Sequence, residues 1–337
     1  MALRRSSLAA VIIVVAAVVI VLAGIHFAAP ILNPILFALV LSLLFSPLYH
    51  WLRRKGTPTP LALILMLVGL VTLFGVLFGL LATSTTSLAG RLTTYTTQLD
   101  GQVAEIDQLL QQHGMSDLKL QALFQGGTFV VAIQSLLGGV ASFLSSFFFI
   151  IMTTLFFLAE GSGLMKRLAS SLSSDSVAVE KLSIFGQNVV RQFGLRGIVN
   201  GVTAGAVILI LLLLGVDFPL LWGVLLFFLS YVPYVGTFLA AIPPVILALA
   251  ESGLISALLV ILGFTAANIL AENVLSPLLM GRGLNLSPTA VFLSFAFWVW
   301  LLGGPGAFLA MPLTFLMILL FDSFSDSRWL ANLMMIR

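Results

Sequence analysis

The sequence predicts an all-α polytopic membrane protein of about six to eight transmembrane helices, two of its elements being Pro/Gly-broken, re-entrant-like hairpins, with a short external helical insert. Three observations carry this. Hydrophobic residues fill 60% of the 337 positions and charged residues only 8%, against about 25% in a soluble domain, so lipid must be the solvent. The apolar runs approach the ~20 residues that a helix needs to cross a bilayer. Finally, 13 of the 15 Lys and Arg fall at run ends that can all be placed on one side.

Positive residues near span ends are retained in the cytoplasm, which predicts an inner-membrane, multi-pass chain with both termini inside. The net charge of +3 follows from that bias, and since the basic residues never gather on one soluble face, nucleic acid is not expected as a partner. The lipid bilayer is. Absence of cysteine removes disulfides, thiol catalysis and Cys-based metal sites.

Taken in order, residues 8–28 follow Arg4 and Arg5 like a secretory signal, but at about 20 residues with a second span close behind they read as a retained first helix. Pro30 and Pro34 mark a turn into a return helix, 35–51, that ends at Arg53, Arg54 and Lys55. Residues 61–82 run outward again until Thr83, Ser84, Thr85, Thr86 and Ser87 end the apolar run. Residues 84–139 form the insert. Within it Leu92, Tyr95, Leu99, Val103, Ile106 and Leu110 recur every three or four positions, the mark of a helix with one apolar stripe. That stripe is expected to pack on its own domain. Arg91 and Lys119 are the two basic residues outside the inner set.

Residues 140–159 return inward, and 162–196 form an amphipathic helix on the cytoplasmic face, with Ser174 and Asp175 as N-caps and Val179, Leu182, Phe185, Val189 and Phe193 as its apolar side. Residues 197–215 cross outward to a turn at Asp217 and Pro219. The two broken hairpins follow. Residues 219–250 are interrupted at 230–236 and again at Pro243 and Pro244, and residues 289–321 are interrupted at 303–306. With 217 outside and 282 inside, 254–271 can be the single net crossing between them only if 219–250 returns to the face it entered, which a re-entrant hairpin or two short spans both satisfy; 289–321 by the same logic starts and ends inside. Irregular backbone at membrane depth is tolerated only where protein or a wet cavity covers it, which makes such a pair a site builder.

No P-loop, dinucleotide fingerprint or HExxH motif is present, and His26, His50 and His113 are far apart. Catalytic residues, metal ligands and cofactors are therefore not expected, and the chain is not read as an enzyme. Glu160, Glu251, Glu272 and Asp322 lie near span ends without forming a recognisable pair. Glu272 has the sharpest reading, because Asn268 stands four residues earlier and Asn273 adjoins it before Pro277; a carboxylate beside amides at a helix break can take a proton or a monovalent cation. The alternative is a residue at the water interface, or one paired with Arg282. Tyr231, Pro233, Tyr234 and Gly236 are the second group, offering hydroxyls and free backbone to a small polar solute, or else an aromatic anchor at the interface. Gly303, Gly304 and Gly306, with Pro305 and Pro312, are either part of the same pathway or a tight loop with close helix packing.

Three segments carry a resemblance. The stretch 228–236, FLSYVPYVG, resembles the "(I/V)PYxG" element of the AI-2E transporter family; 271–281, AENVLSPLLMG, is similar to its "(Q/E)xxxxxPxxMG" segment; and 303–312, GGPGAFLAMP, resembles its closing "GxxGxxxAxP". Pro243 matches a proline downstream of the first. The glutamine common just before the Glu272 position is absent, Ile269, Leu270 and Ala271 standing there. The resemblance covers nearly the whole chain. It implies a secondary transporter, a permease that exports a small polar signal of the autoinducer type or exchanges sodium or lithium for protons, and a homo-oligomer, a pentamer. A non-transporting membrane scaffold that recruits partners through its external helix is the rival from another class.

Overall fold

Helices account for nearly all of the computed structural model, which describes residues 2–112, 126–171, 176–232, 235–280, 287–323 and 327–334. They are α1 (Ala2–Arg54), α2 (Thr59–Gln112), α3 (Gly126–Ser171), α4 (Ser176–Leu213), α5 (Pro219–Leu229), α6 (Gly236–Leu270), a π-helical turn (Ala271–Leu275), α7 (Ser276–Met280), α8 (Pro288–Leu302), α9 (Gly304–Ser323) and α10 (Arg328–Met334). No strand occurs among the described residues. Among the described residues, five stretches are long and apolar enough to cross a bilayer: Ile12–Arg54, Thr59–Gln112, Gly186–Leu213, Gly236–Leu279 and Gly304–Asp322. Ser145–Gly161, Pro219–Leu229 and Thr289–Leu302 are shorter apolar helices. The expected all-α polytopic membrane architecture is the one observed.

Four local expectations are corrected. No turn forms at Pro30 and Pro34; α1 runs through them and through Pro47 as one 53-residue helix, ~80 Å long at 1.5 Å per residue. Opening a helix in lipid leaves polar backbone groups unsatisfied at several kcal/mol each, which outweighs the ~3 kcal/mol of an internal proline. Arg4–Arg5 and Arg53–Lys55 therefore lie at opposite ends of one helix, and the hairpin that set them on the same side is absent. Second, α2 continues through Thr83–Ser87 into the insert. The Thr83 and Thr85 hydroxyls donate back to carbonyls of Gly79 and Leu81 at 3.0 and 2.6 Å, so they are satisfied within the helix they were expected to end. Likewise α4 passes without a break from the interfacial segment into the span; Ser174 and Asp175, its expected caps, lie outside the described residues.

The fourth correction is at Pro243 and Pro244, both buried, through which α6 runs without a break. Its real break is Gly253, at φ 81° and ψ −172°, a region open essentially to glycine alone.

The chain divides into two compact units. One comprises residues 1–50, 152–189 and 285–337. Here the break between α8 and α9 falls at Gly303, φ 73°, and the carbonyls it leaves free are met by α1: the His26 ring Nδ1 lies 3.0 Å from the Leu301 oxygen and Asn33 Nδ2 donates to that of Leu302 at 3.0 Å. Ala29, Leu301 and Leu302 form a small buried cluster between them. A Cβ at Gly306 would strike the Trp298 carbonyl, so α8 and α9, on either side of the break, approach closer than any other residue allows.

The other unit comprises residues 51–151 and 190–284. Its core joins Leu81, Leu88, Leu92 and Tyr95 of α2, Ile133 of α3, Val207 and Leu211 of α4, Trp222 and Leu226 of α5, and Leu247, Val260 and Phe264 of α6. Leu99 and Val103 extend the stripe onto Ala250. The expected amphipathic stripe is thus buried from Leu88 to Val103, against its own unit.

Candidate functional site

The site is assembled in this second unit where the α5–α6 hairpin turns. Helix α4 ends in a left-handed turn with Gly215 at φ 71°, the Val216 amide closing on the Leu211 carbonyl at 3.0 Å, which is a glycine C-cap. Pro219 then opens α5 at a position that needs no amide donor. After one short helix the chain turns at Ser230, Tyr231 and Val232, and α6 begins at Gly236. A Cβ there would fall on the Leu229 carbonyl, so the turn is as tight as glycine permits.

Helix α4, the π-helical turn and the residue that follows α5 supply the side chains at this tip. From α4, Arg196 reaches across to the π-helical turn and grips Glu272 with both nitrogens, Nη1 to Oε2 at 3.0 Å and Nη2 to Oε1 at 2.6 Å. The same Nη2 donates to the Ser230 carbonyl at 3.2 Å. One turn further on, buried Asn200 donates to the Phe227 carbonyl at 3.2 Å. Backbone carbonyls released at the hairpin tip are thus met by α4. The Ser230 hydroxyl, by contrast, is buried with no hydrogen-bond partner.

The sequence-predicted residues separate as follows. Tyr231 stacks on Phe193, ring centroids 5.3 Å apart at 20°, and its hydroxyl donates to the Phe193 carbonyl at 3.3 Å, over Gly197, where a Cβ would come within 2.9 Å of that oxygen. Asn268 accepts from the Thr237 hydroxyl at 3.2 Å. It does not share a partner with Glu272, because the wider π-helical turn begins between them. Asn273 and Pro277 are exposed. Gly303, Gly304 and Gly306 belong to the other unit, at the break described above. Pro233, Tyr234 and Arg282 lie outside the described residues. Among the described residues, no three His, Asp or Glu side chains converge as metal ligands.

Arg196, Asn200 and Ser230 were missed. A signal existed: Phe193, Arg196, Asn200 and Thr203 recur at three- and four-residue steps, a polar row inside an apolar helix, where an ionisable residue marks function by default. Arg196 was read instead as a topology marker. Chemically, the tip offers a guanidinium and a carboxylate that cancel one another and a free hydroxyl, all beside the turn between α5 and α6.

The family model described as AI-2E family transporter matches residues 15–326. The chain belongs to the AI-2E transporter family. It is 30% identical over 317 residues to the AI-2 transport protein TqsA of Escherichia coli, covering 93% of this chain and 92% of that one. Identity to the putative transport protein YhhT of the same organism is 30% over 296 residues, 87% and 85% of the two chains. The putative transport protein YrrI of Bacillus subtilis matches at 26% over 314 residues, 83% of each. This AI-2E family transporter is accordingly a multi-pass membrane protein.

Proposed function

We propose that the protein is a secondary transporter that exports a small polar solute, such as an autoinducer-type signal, by alternating access, with the α5–α6 tip as a gate and Arg196, Ser230 and Glu272 at the pathway. The carrying observation is the bidentate Arg196–Glu272 pair closed over the Ser230 carbonyl beside an unpartnered buried hydroxyl. Buried polar groups without partners are costly in a protein, and one at a helix break is explained by a ligand that visits it. Tyr231, Gly236, Asn268, Asn273 and Pro277 shape or flank this tip, and Gly303, Gly304 and Gly306 supply the second break. Pro233 and Tyr234 complete the motif in sequence.

Sodium or lithium exchange for protons at Glu272 has less support, since both carboxylate oxygens are taken by Arg196. A recruiting scaffold has less as well, since the insert's apolar stripe is spent on its own unit. Counterflow in proteoliposomes separates the three. Exchange of one or more neutral polar metabolites across a panel, with no pH change on adding sodium or lithium, is the expected result; cation-driven pH change alone, or no flux of any kind, sinks the reading.

The same reading has the protein in the inner membrane as a homo-oligomer of five, supported by the family resemblance, with both termini cytoplasmic; most Lys and Arg from residue 53 onward support the C-terminal half of that orientation, while the unbroken α1 speaks against the N-terminal half. Reporter fusions at the two ends test the first part. Both should report the cytoplasm; opposite compartments would go instead with one full crossing by the unbroken α1.

A further inference from the structure

At the opposite end of α5 from the tip, a second polar network lies at the mouth of the hairpin. Asp217 Oδ2 accepts from Arg91 Nη1 at 2.7 Å and from the Tyr95 hydroxyl at 2.6 Å. The Asp217 carbonyl accepts from Trp222 Nε1 at 3.0 Å. Its amide donates to Glu251 Oε2 at 3.3 Å. Glu251 Oε1 is buried and has no hydrogen-bond partner at all.

Charge counting shows what is missing. Around Glu251, α2 presents Arg91 and Tyr95, the turn before α5 presents Asp217, α5 carries no titratable residue, and Glu251 is the one charged residue of α6. One guanidinium thus faces two carboxylates, a net charge of −1 with both ionised. Arg91, the one cation, is paired with Asp217, so the uncompensated charge is that of Glu251, with the neutral Tyr95 hydroxyl beside both carboxylates. A half-buried carboxylate with a single long amide contact and an orphan oxygen is poorly held as an anion. Adding one proton from water to the carboxylate makes the group neutral and brings the network to zero. Water has a route in, because the Arg91 side chain is 61% exposed and that of Asp217 38%.

We infer that Glu251, set against Asp217 at the hairpin mouth, is a proton-binding site separate from the Arg196–Glu272 tip. Its occupancy ties the α2 arm, the α4–α5 turn and the Gly253 break together: the neutral acid lets the three close, and the anion, repelled by Asp217, loosens them.

The test uses the full-length purified chain and infrared difference spectra against pH, which read protonation without requiring transport. Wild type should show a protonated-carboxyl band that titrates, and Glu251→Gln, isosteric with the neutral acid, should lose it. Removing the neighbouring anion in Asp217→Asn should move the loss of the band to lower pH; removing the cation in Arg91→Gln should move it to higher pH. With the intrinsic, base-catalysed rise of amide exchange divided out, protection at 214–222 and 250–254 should fall with pH in wild type and stay flat in Glu251→Gln. No titrating band in wild type, a band unchanged by Glu251→Gln, or neither neighbour shifting it would overturn the inference.

Discussion

Counterflow through reconstituted Arg196→Glu or Glu272→Arg protein is expected to fall at least about tenfold, and the double charge swap is expected to recover a large part of it. Hydrogen bonds to charged groups are each worth about 1.5–3 kcal/mol, and 1.4 kcal/mol is about a factor of ten. Here the Arg196 side chain is 23% exposed and that of Glu272 40%, so solvent screens the pair and the lower end applies. Either single change also sets two like charges face to face, which costs further. The swap discriminates between roles. If the pair is a latch that holds the tip on α4, reversed charges can still close it; if Arg196 itself touches the solute, flux stays low in the double variant. Wild-type flux in both single variants would remove the pair from the pathway, and a double-mutant cycle would then show no coupling.

Gly236→Ala is expected to cost about 3 kcal/mol of stability, the upper end for overpacking. The added methyl falls on the carbonyl of Leu229 and within 3.2 Å of the Ser230 amide. Both are backbone atoms of the turn, so nothing flexible can give way, and the tip that Arg196 holds must open. Gly201→Ala is the matched control, since its nearest neighbour is Phe227 Cε2 at 3.9 Å, an ordinary contact. Thermal unfolding in detergent should show a clear drop for the first and little change for the second. Equal midpoints for the two would mean that the turn relaxes freely, and the reading of Gly236 as a steric requirement would fail.

Much of the architecture was legible because it depends on local pattern. The stripe from Leu88 to Val103 was readable at three- and four-residue spacing and is buried as that spacing requires. The breaks at 230–236 and at Gly303 were readable because glycine and proline act on their own backbone. Pro30, Pro34, Pro243 and Pro244 misled for a related reason: proline weakens a helix by a few kcal/mol, and the cost of opening helical backbone in lipid is larger. At Gly253, by contrast, the conformation itself excludes other residues, and the α6 break is there.

Composition and periodicity alone determined that this chain is an all-α membrane protein with glycine-broken hairpins in its last third, because lipid solvation and helical period act residue by residue along the sequence. Only the tertiary structure decided who partners whom. Arg196 meets Glu272 across 76 positions and Asp217 meets Glu251 across 34, separations over which no local rule reaches. A charge surrounded by apolar groups is stable only with a partner or a proton, and which of the two it has is a matter of how the helices pack.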